Sequence, residues 1–307
     1  MSLLVVGSVA YDTIKTPHGE AAEALGGAAV YFSLAARLFT PVRLVGVVGE
    51  DFRKADLDLL SQSGVDSSGL EHVRGGRTFR WTGEYSQDMN RRETLSVELN
   101  VFADFKPKVP AAFRDSRFVF LANASPVTQL SVLEQMNRPD FVMADTMDLW
   151  IQTAHRDLLA LLKRIDGLLV NDSEAILLTD RHNVIEAGKA ILDMGPSRVV
   201  IKKGEHGSIL FDGGQIIPLP AYPIGSVKDP TGAGDSFAGA LMGYLTTSSG
   251  KPRGKAEVET RALKQAIGYG TVVASLTCED FGVRRIAAAS EAEARERFER
   301  YKELISL

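Results

Sequence analysis

Phe118-Val119-Phe120-Leu121-Ala122, Phe141-Val142-Met143-Ala144, Leu168-Leu169-Val170 and Val199-Val200-Ile201-Lys202 are short apolar runs within one stretch, residues 118 to 202. Each is too short for a buried helix and has the length and content of a strand covered on both faces. Between them lie segments with helical spacing: Val127 to Met136, His155 to Lys163 and Ile185 to Leu192. This alternation predicts a parallel sheet with helices on both faces, because each crossover must pack back onto the sheet. The polar residues that close these runs, Asn123, Asp145, Asn171 and Lys202, then share one sheet edge, where open α/β sheets bind ligands.

Upstream, Leu3 to Val6 followed by Gly7-Ser8 reads as another buried strand meeting a turn, with Asp12 just beyond it on the same edge. Asp12 could serve a ligand or simply cap a turn. Leu25-Gly26-Gly27-Ala28-Ala29 opens a helix to about Leu38, and its glycines permit close approach of a ligand or a neighbouring strand. Tyr31 and Phe32 fit the core, although an aromatic at a cleft mouth could stack on a sugar or a base. Val42 to Val48 is a strand and Ala55 to Leu60 its helix. From about 77 to 101 the residues alternate instead (Phe79, Trp81, Glu84, Tyr85, then Thr94, Ser96, Glu98) around a turn at Gln87-Asp88-Met89-Asn90. Two antiparallel strands fit this pattern, with room for a contribution from about 12 to 24. Such an insertion could be a lid that excludes water, an edge for a homodimer, or both.

Downstream, Asp229-Pro230-Thr231-Gly232-Ala233-Gly234-Asp235-Ser236-Phe237 forms a turn running into the helical spacing of Phe237, Leu241, Tyr244 and Leu245. The first N–H groups of a helix lack intrahelical partners, and the macrodipole adds about half a positive charge, so this turn suits an anion. Asp235 beside that positive end suits removal of a proton, and a hydroxyl deprotonated next to an anion hole is phosphoryl-transfer chemistry. Leu263 to Ala274 reads as a small-residue helix under the turn, and Ser290 with Glu293 caps a final amphipathic helix.

The 307 residues, 45% hydrophobic with a formal charge of -4, suit an α/β globular protein and leave no basic stripe for nucleic acid. The pairs Arg91-Arg92, Lys202-Lys203 and Arg284-Arg285 are scattered and read mostly as solvated charge. One cysteine, Cys278, rules out an internal disulfide and points to a reducing compartment, and no run suggests a signal peptide or a membrane span, so a cytoplasmic location is expected. Without repeats or low-complexity linkers, residues 1 to 307 read as a single domain with an insertion.

Gly234-Asp235-Ser236 could be an esterase element, but none of the 5 histidines lies beyond His206 to complete a triad. Gly7-Ser8-Val9-Ala10 is not a dinucleotide fingerprint, and Gly250-Lys251-Pro252 fails as a P-loop.

At this point the residues resemble a known family. The stretch Asp229 to Asp235 is similar to the C-terminal signature of the PfkB, or ribokinase-like, sugar and nucleoside kinases. Gly26-Gly27, Asp12, Asn171-x-x-Glu174 and Lys202-x-Gly204-x-x-Gly207 follow the family's order across essentially the whole chain. The resemblance implies a three-layer α/β/α fold, a mostly parallel sheet with a small β-sheet lid at 77 to 101, and ATP with Mg²⁺. It implies Asp235 as base, Gly232, Ala233 and Gly234 as anion hole, and Asp12, Gly26 and Gly27 on the acceptor's hydroxyls. Lys202, Gly204 and Gly207 would border the nucleotide, Asn171 and Glu174 would position Mg²⁺, and Asp229 could belong to a site for a monovalent cation such as K⁺.

The acceptor pocket departs from the ribokinase branch, with Tyr31 in place of an Asn and Asn123-Ala124 in place of a Glu. The expectation is a kinase acting on a hydroxyl of a sugar or sugar-like molecule. The alternatives are a nucleoside kinase, with Tyr31, Trp81 and Tyr85 stacking on a base, and a catalytically silent nucleotide or metabolite sensor.

Overall fold

A computed structural model describes residues 2–248 and 258–306; Gly250-Lys251-Pro252 falls outside them. Leu3–Val6 (β1) is buried at every position and enters the middle of the large sheet directly. The chain then leaves that sheet as an antiparallel hairpin, β2 (Ala10–Thr16) and β3 (Gly19–Gly26), before returning through α1 (Ala28–Ala36). β4 (Val42–Gly49), α2 (Lys54–Gln62) and β5 (Val65–Val73) build one flank, and β6 (Phe79–Tyr85) with β7 (Arg92–Glu98) makes a second hairpin.

The predicted alternation follows. It runs β8 (Phe118–Leu121), α3 (Pro126–Gln135), β9 (Phe141–Asp145), α4 (Asp148–Thr153), α5 (His155–Leu162), β10 (Gly167–Asn171), α6 (Asp172–Thr179), α7 (Val184–Asp193) and β11 (Arg198–Lys202). β12 (Ser208–Asp212) and β13 (Gln215–Leu219) extend the far flank, then come α8 (Ala233–Ser248), α9 (Thr260–Thr277), α10 (Arg284–Ala288) and α11 (Glu291–Ile305).

The large sheet has nine strands in the order β13-β12-β11-β10-β9-β8-β1-β4-β5, parallel except at β12 and β13. Three of its strands escaped the sequence reading. β5 is a flank strand written largely in polar residues (Val65-Asp66-Ser67-Ser68-Gly69), and β12 and β13 are joined by a tight Gly213-Gly214 turn rather than a helix.

Side chains alternate between the two faces. Met143, Leu169 and Val200 belong to the core with α1, α8 and α9, whereas Val142, Leu168, Val170 and Ile201 pack on the opposite side with Leu158, Leu161 and Ile191. Two residues beyond Met143, Leu169 and Val200 stand Asp145, Asn171 and Lys202, so these polar strand ends point to the α8 side. α1 is buried at every position, and Arg37 just after it donates to the carbonyls of Ile286, Ala287 and Ala289.

The small sheet, in order β3-β2-β6-β7, is the lid. Both hairpins supply it, joined by parallel pairing of β2 with β6 that sets Asp12 opposite Trp81. The apolar cluster beneath it is slight: Ile14 and Ala21 pack with Phe281, which lies between α9 and α10. Arg80 ties it to the main body through Asp51 (2.7 Å). Among the described residues, no helix is long and apolar enough to cross a membrane.

Candidate active site

The anion turn is held from below. Asp229 is wholly buried; its Oδ1 accepts the Thr231 N–H and its Oδ2 the Gly282 N–H, each at 2.8 Å. Gly232 adopts φ 73°, and a Cβ there would lie 2.3 Å from the Tyr31 ring, so the turn rests on that aromatic face. The Ala233 N–H closes onto the Pro230 carbonyl at 3.2 Å. Among the described residues the Gly232 and Gly234 N–H groups have no backbone partner, which leaves them for an anion.

Asp235 lies in the first turn of α8. Burial pushes its carboxyl above the ordinary range, and the charges of Lys202 and Arg92 pull it back. The Lys202 Nζ stands 3.0 Å from the position a Cβ on Gly234 would take, so a side chain at 234 would crowd the ammonium. Ladder partners point the same way, so the pairs Leu169↔Asp145 and Asn171↔Lys202 put Asp145 in this group as well. Asp145 is buried, its Oδ1 has no hydrogen-bond partner among the described residues, and burial, reinforced by the Asp235 charge, raises its pKa strongly.

Asn171 and Glu174 form a reciprocal cap. The Asn171 Oδ1 accepts the Glu174 N–H and the Glu174 Oε2 accepts the Asn171 N–H, both at 2.7 Å. The Asn171 oxygen also accepts from Ser173 Oγ, so it is occupied as a helix cap, while Glu174 keeps Oε1 without a protein partner among the described residues. Among the described residues no cluster of three or more His, Cys, Asp and Glu forms a metal cage. Glu174 Oε1 and Asp145 Oδ1 are hard oxygen donors of the kind Mg²⁺ takes, so these two residues would hold that ion. Gly204 lies open on its loop with φ 54°, whereas Gly207 is needed structurally, since a Cβ there would meet the Leu219 carbonyl at 2.1 Å.

On the side expected to meet the acceptor, Gly26 makes room for Asp12: a Cβ at 26 would lie 2.0 Å from the Asp12 Oδ2. Gly27 precedes α1 with φ 94° and donates to the Asp12 carboxylate. Burial pushes Asp12 up to about 7, the Gly27 N–H opposes this, and the Asp229 and Asp235 charges add to it. Trp81 and Tyr85 line the same lid face, and Tyr85 reaches the turn, its hydroxyl accepting from Thr231 Oγ1 at 3.1 Å.

Several expectations are corrected. Tyr31 cannot stack on a ligand, because its ring is 1% exposed beneath Gly232. Asn123 has both ends of its amide engaged, donating to Met147 Sδ (3.1 Å) and accepting from Trp150 Nε1 (3.0 Å), so the aromatic at this strand end is Trp150. Arg92 is more than solvated charge: its guanidinium lies 5.4 Å from the Trp81 ring centroid and its field reaches Asp12, Glu174 and Asp235.

The profile of the family described as pfkB family carbohydrate kinase matches residues 2–289. The chain is 32% identical over 260 residues to the cytidine kinase of Thermococcus kodakarensis, covering 82% of this chain and 90% of that protein. In structure it resembles the nucleoside kinase of Burkholderia thailandensis solved with inosine (TM-score 0.76, 20% identity, 97% and 98% of the two chains). It also resembles an Escherichia coli protein assigned as a ribokinase II and solved with ATP and Mg²⁺ (TM-score 0.78, 17% identity, 97% and 99%). At these identities the two structural likenesses speak for the fold.

Proposed function

The chain belongs to the pfkB family of carbohydrate kinases, and from that premise we propose that this ATP-dependent kinase phosphorylates a primary hydroxyl of a nucleoside. The observation that carries the acceptor class is the pairing of Asp12 with Trp81 across β2 and β6: a carboxylate for ribose hydroxyls stands beside an aromatic face for a base. The resemblance to a cytidine kinase supports this over the sugar acceptor that the sequence put first. Asn123, engaged with Met147 and Trp150, offers less to a free sugar than an unpaired carboxylate would.

In this reading Asp12 accepts hydrogen bonds from the ribose and fixes the reacting hydroxyl toward the turn. Asp235 takes the proton of that hydroxyl as its oxygen bonds to the γ-phosphorus. The bond from that phosphorus to the β,γ-bridging oxygen breaks, and ADP leaves with the electron pair. The Gly232 and Gly234 N–H groups and the Lys202 ammonium stabilise charge on the phosphoryl oxygens. Gly204 borders the nucleotide. Glu174 and Asp145 would hold Mg²⁺, which when bound neutralises phosphate charge. A monovalent cation such as K⁺ would lie beside Asp229, and a second copy of the chain would cover the exposed Leu95 and Val97 on the β7 edge.

ADP release measured across cytidine, inosine, adenosine, uridine, ribose and fructose tests the acceptor. Turnover of a nucleoside is expected. Turnover of a free sugar with no nucleoside active would overturn the reading.

A further inference from the structure

Gln129 is a buried amide that no step of the proposed transfer uses. It stands one turn into α3, where Ser125 caps the helix by accepting the Thr128 N–H at 3.2 Å, and it is 2% exposed. Its Nε2 donates to three carbonyls: Leu121 (2.9 Å) and Ala122 (3.3 Å) where β8 ends, and Asp145 (3.1 Å) where β9 ends. Its Oε1 is buried without a partner among the described residues, as is the hydroxyl of Thr146, next to Asp145. An amide buried with its acceptor unpaired costs stability that an apolar side chain would not, so packing alone does not account for a glutamine here.

The three carbonyls lie where the sheet stops bracing itself. The β8–β9 ladder ends at Leu121↔Ala144, one residue short of Asp145, although on its other side Asp145 still pairs with Leu169. Gln129 supplies the cross-strand link that the ladder lacks at this end. Asn123 takes no part in it, its amide being engaged by Met147 and Trp150. Among the described residues no side chain hydrogen-bonds the Asp145 carboxylate, and its Oδ1 has no partner. Its placement beside the charges of Lys202 and Asp235 therefore depends on the backbone that Gln129 grips.

We infer that Gln129 is a positioning residue: its amide clips the ends of β8 and β9 together and thereby holds the Asp145 carboxylate in place for Mg²⁺. Groups that orient a metal's ligands from behind affect affinity nearly as much as the ligands do. Removing the donors would leave the three carbonyls unpaired and the Asp145 peptide free to turn. The inference rests on the reading that Asp145 and Glu174 hold Mg²⁺, and not on the identity of the acceptor.

Mn²⁺ binding to the protein with ADP, followed by loss of the free-ion electron paramagnetic resonance signal, reads the metal site without turnover. Gln129→Met keeps the volume and removes the donors, and should weaken Mn²⁺ about 10- to 100-fold while ADP affinity in EDTA stays within about threefold of native. Asp145→Asn should weaken Mn²⁺ similarly, and adding Gln129→Met to it should cost less than about threefold more, because the amide acts through that carboxylate. Gln129→Glu keeps one donor when its carboxyl is protonated, so it should fold even where Gln129→Met does not, with an intermediate Mn²⁺ affinity. A purely structural amide would lower the melting temperature and leave metal affinity alone. Mn²⁺ affinity within about threefold of native in the Gln129 variants therefore overturns the inference, as does a fully additive loss in the double variant. An equal loss of ADP affinity in EDTA would show a general loosening of the cleft and also overturn it. A fault in the metal reading gives a different result: Asp145→Asn alone then leaves Mn²⁺ binding unchanged, and the inference falls with that reading.

Discussion

The cleft has two walls built to different standards. The wall formed by the large sheet and α8 carries Asp145, Lys202 and Asp235 on elements backed by Met143, Leu169, Val200 and a continuous core. The lid wall carries Trp81, Tyr85 and Arg92 on a small sheet whose outer strand is exposed throughout and which contributes Ile14 and Ala21 to a slight cluster with Phe281. On the proposed reading, the reacting groups, which need sub-ångström placement, sit where packing is dense, and the groups that would admit and sort ligands sit where the backbone can shift. Asp12 belongs to both walls, because its strand is in the lid while Gly27, at the start of α1, binds its carboxylate.

This contrast can be broken by substitution. Asp235→Asn should show the largest effect, lowering kcat about 10³-fold while both ligands still bind by calorimetry, since it removes the base and little volume. Retained turnover would move the base elsewhere on the rigid wall. Gly26→Ala should come next, because the methyl group displaces the Asp12 carboxylate; acceptor kcat/KM should fall about 100-fold with the ATP KM unchanged. An equal loss for both substrates would mean that the two walls are not separable.

A smaller effect comes from pH. With Asp12 at about 7, acceptor kcat/KM should fall about tenfold per pH unit below that value if ionised Asp12 receives the hydroxyls. The same shift affects stability in the opposite sense. A carboxyl raised from 3.8 to about 7 on folding contributes stability fully present below pH 3.8 and lost as pH rises through 7. Asp12→Asn should therefore melt at higher temperature than native at pH 8, with the gap narrowing toward pH 4, even as it loses the acceptor. A gap independent of pH would show that the carboxyl titrates normally. Trp150→Phe should be the mildest change, removing one hydrogen bond to Asn123 worth about 1 kcal/mol and altering the acceptor KM by less than about tenfold.

The sheet edge was legible because apolar runs followed by a polar residue state both a strand and its end; Asp12, Asn171 and Lys202 were found this way, and the 229–235 turn by its glycines running into helical spacing. Asp145 was seen at its strand end but not given a role, since its neighbours Lys202 and Asp235 are remote in sequence and only the ladder register brings them together. Tyr31 was misplaced for a different reason: α1 is buried all round, so no periodicity says which side of it faces a ligand. Arg92 could not be told from ordinary surface charge, because an edge strand exposed at every position has no inward face in the sequence. The lid's first hairpin was only half seen, since Tyr11-Asp12-Thr13-Ile14 alternates too briefly to be separated from a turn.

The tie between Asp229 and Gly282 bears on how the protein is made. The turn that would hold the phosphoryl group is pinned by a backbone amide supplied 53 residues later, and Arg37 finds its carbonyl partners only at Ile286, Ala287 and Ala289. On a ribosome, Asp12 and most of the sheet emerge long before either partner is synthesised. Nucleotide affinity should therefore appear late and abruptly in a series of stalled nascent chains, at the length that exposes Gly282, so the enzyme has no working half-formed state to lose substrate from.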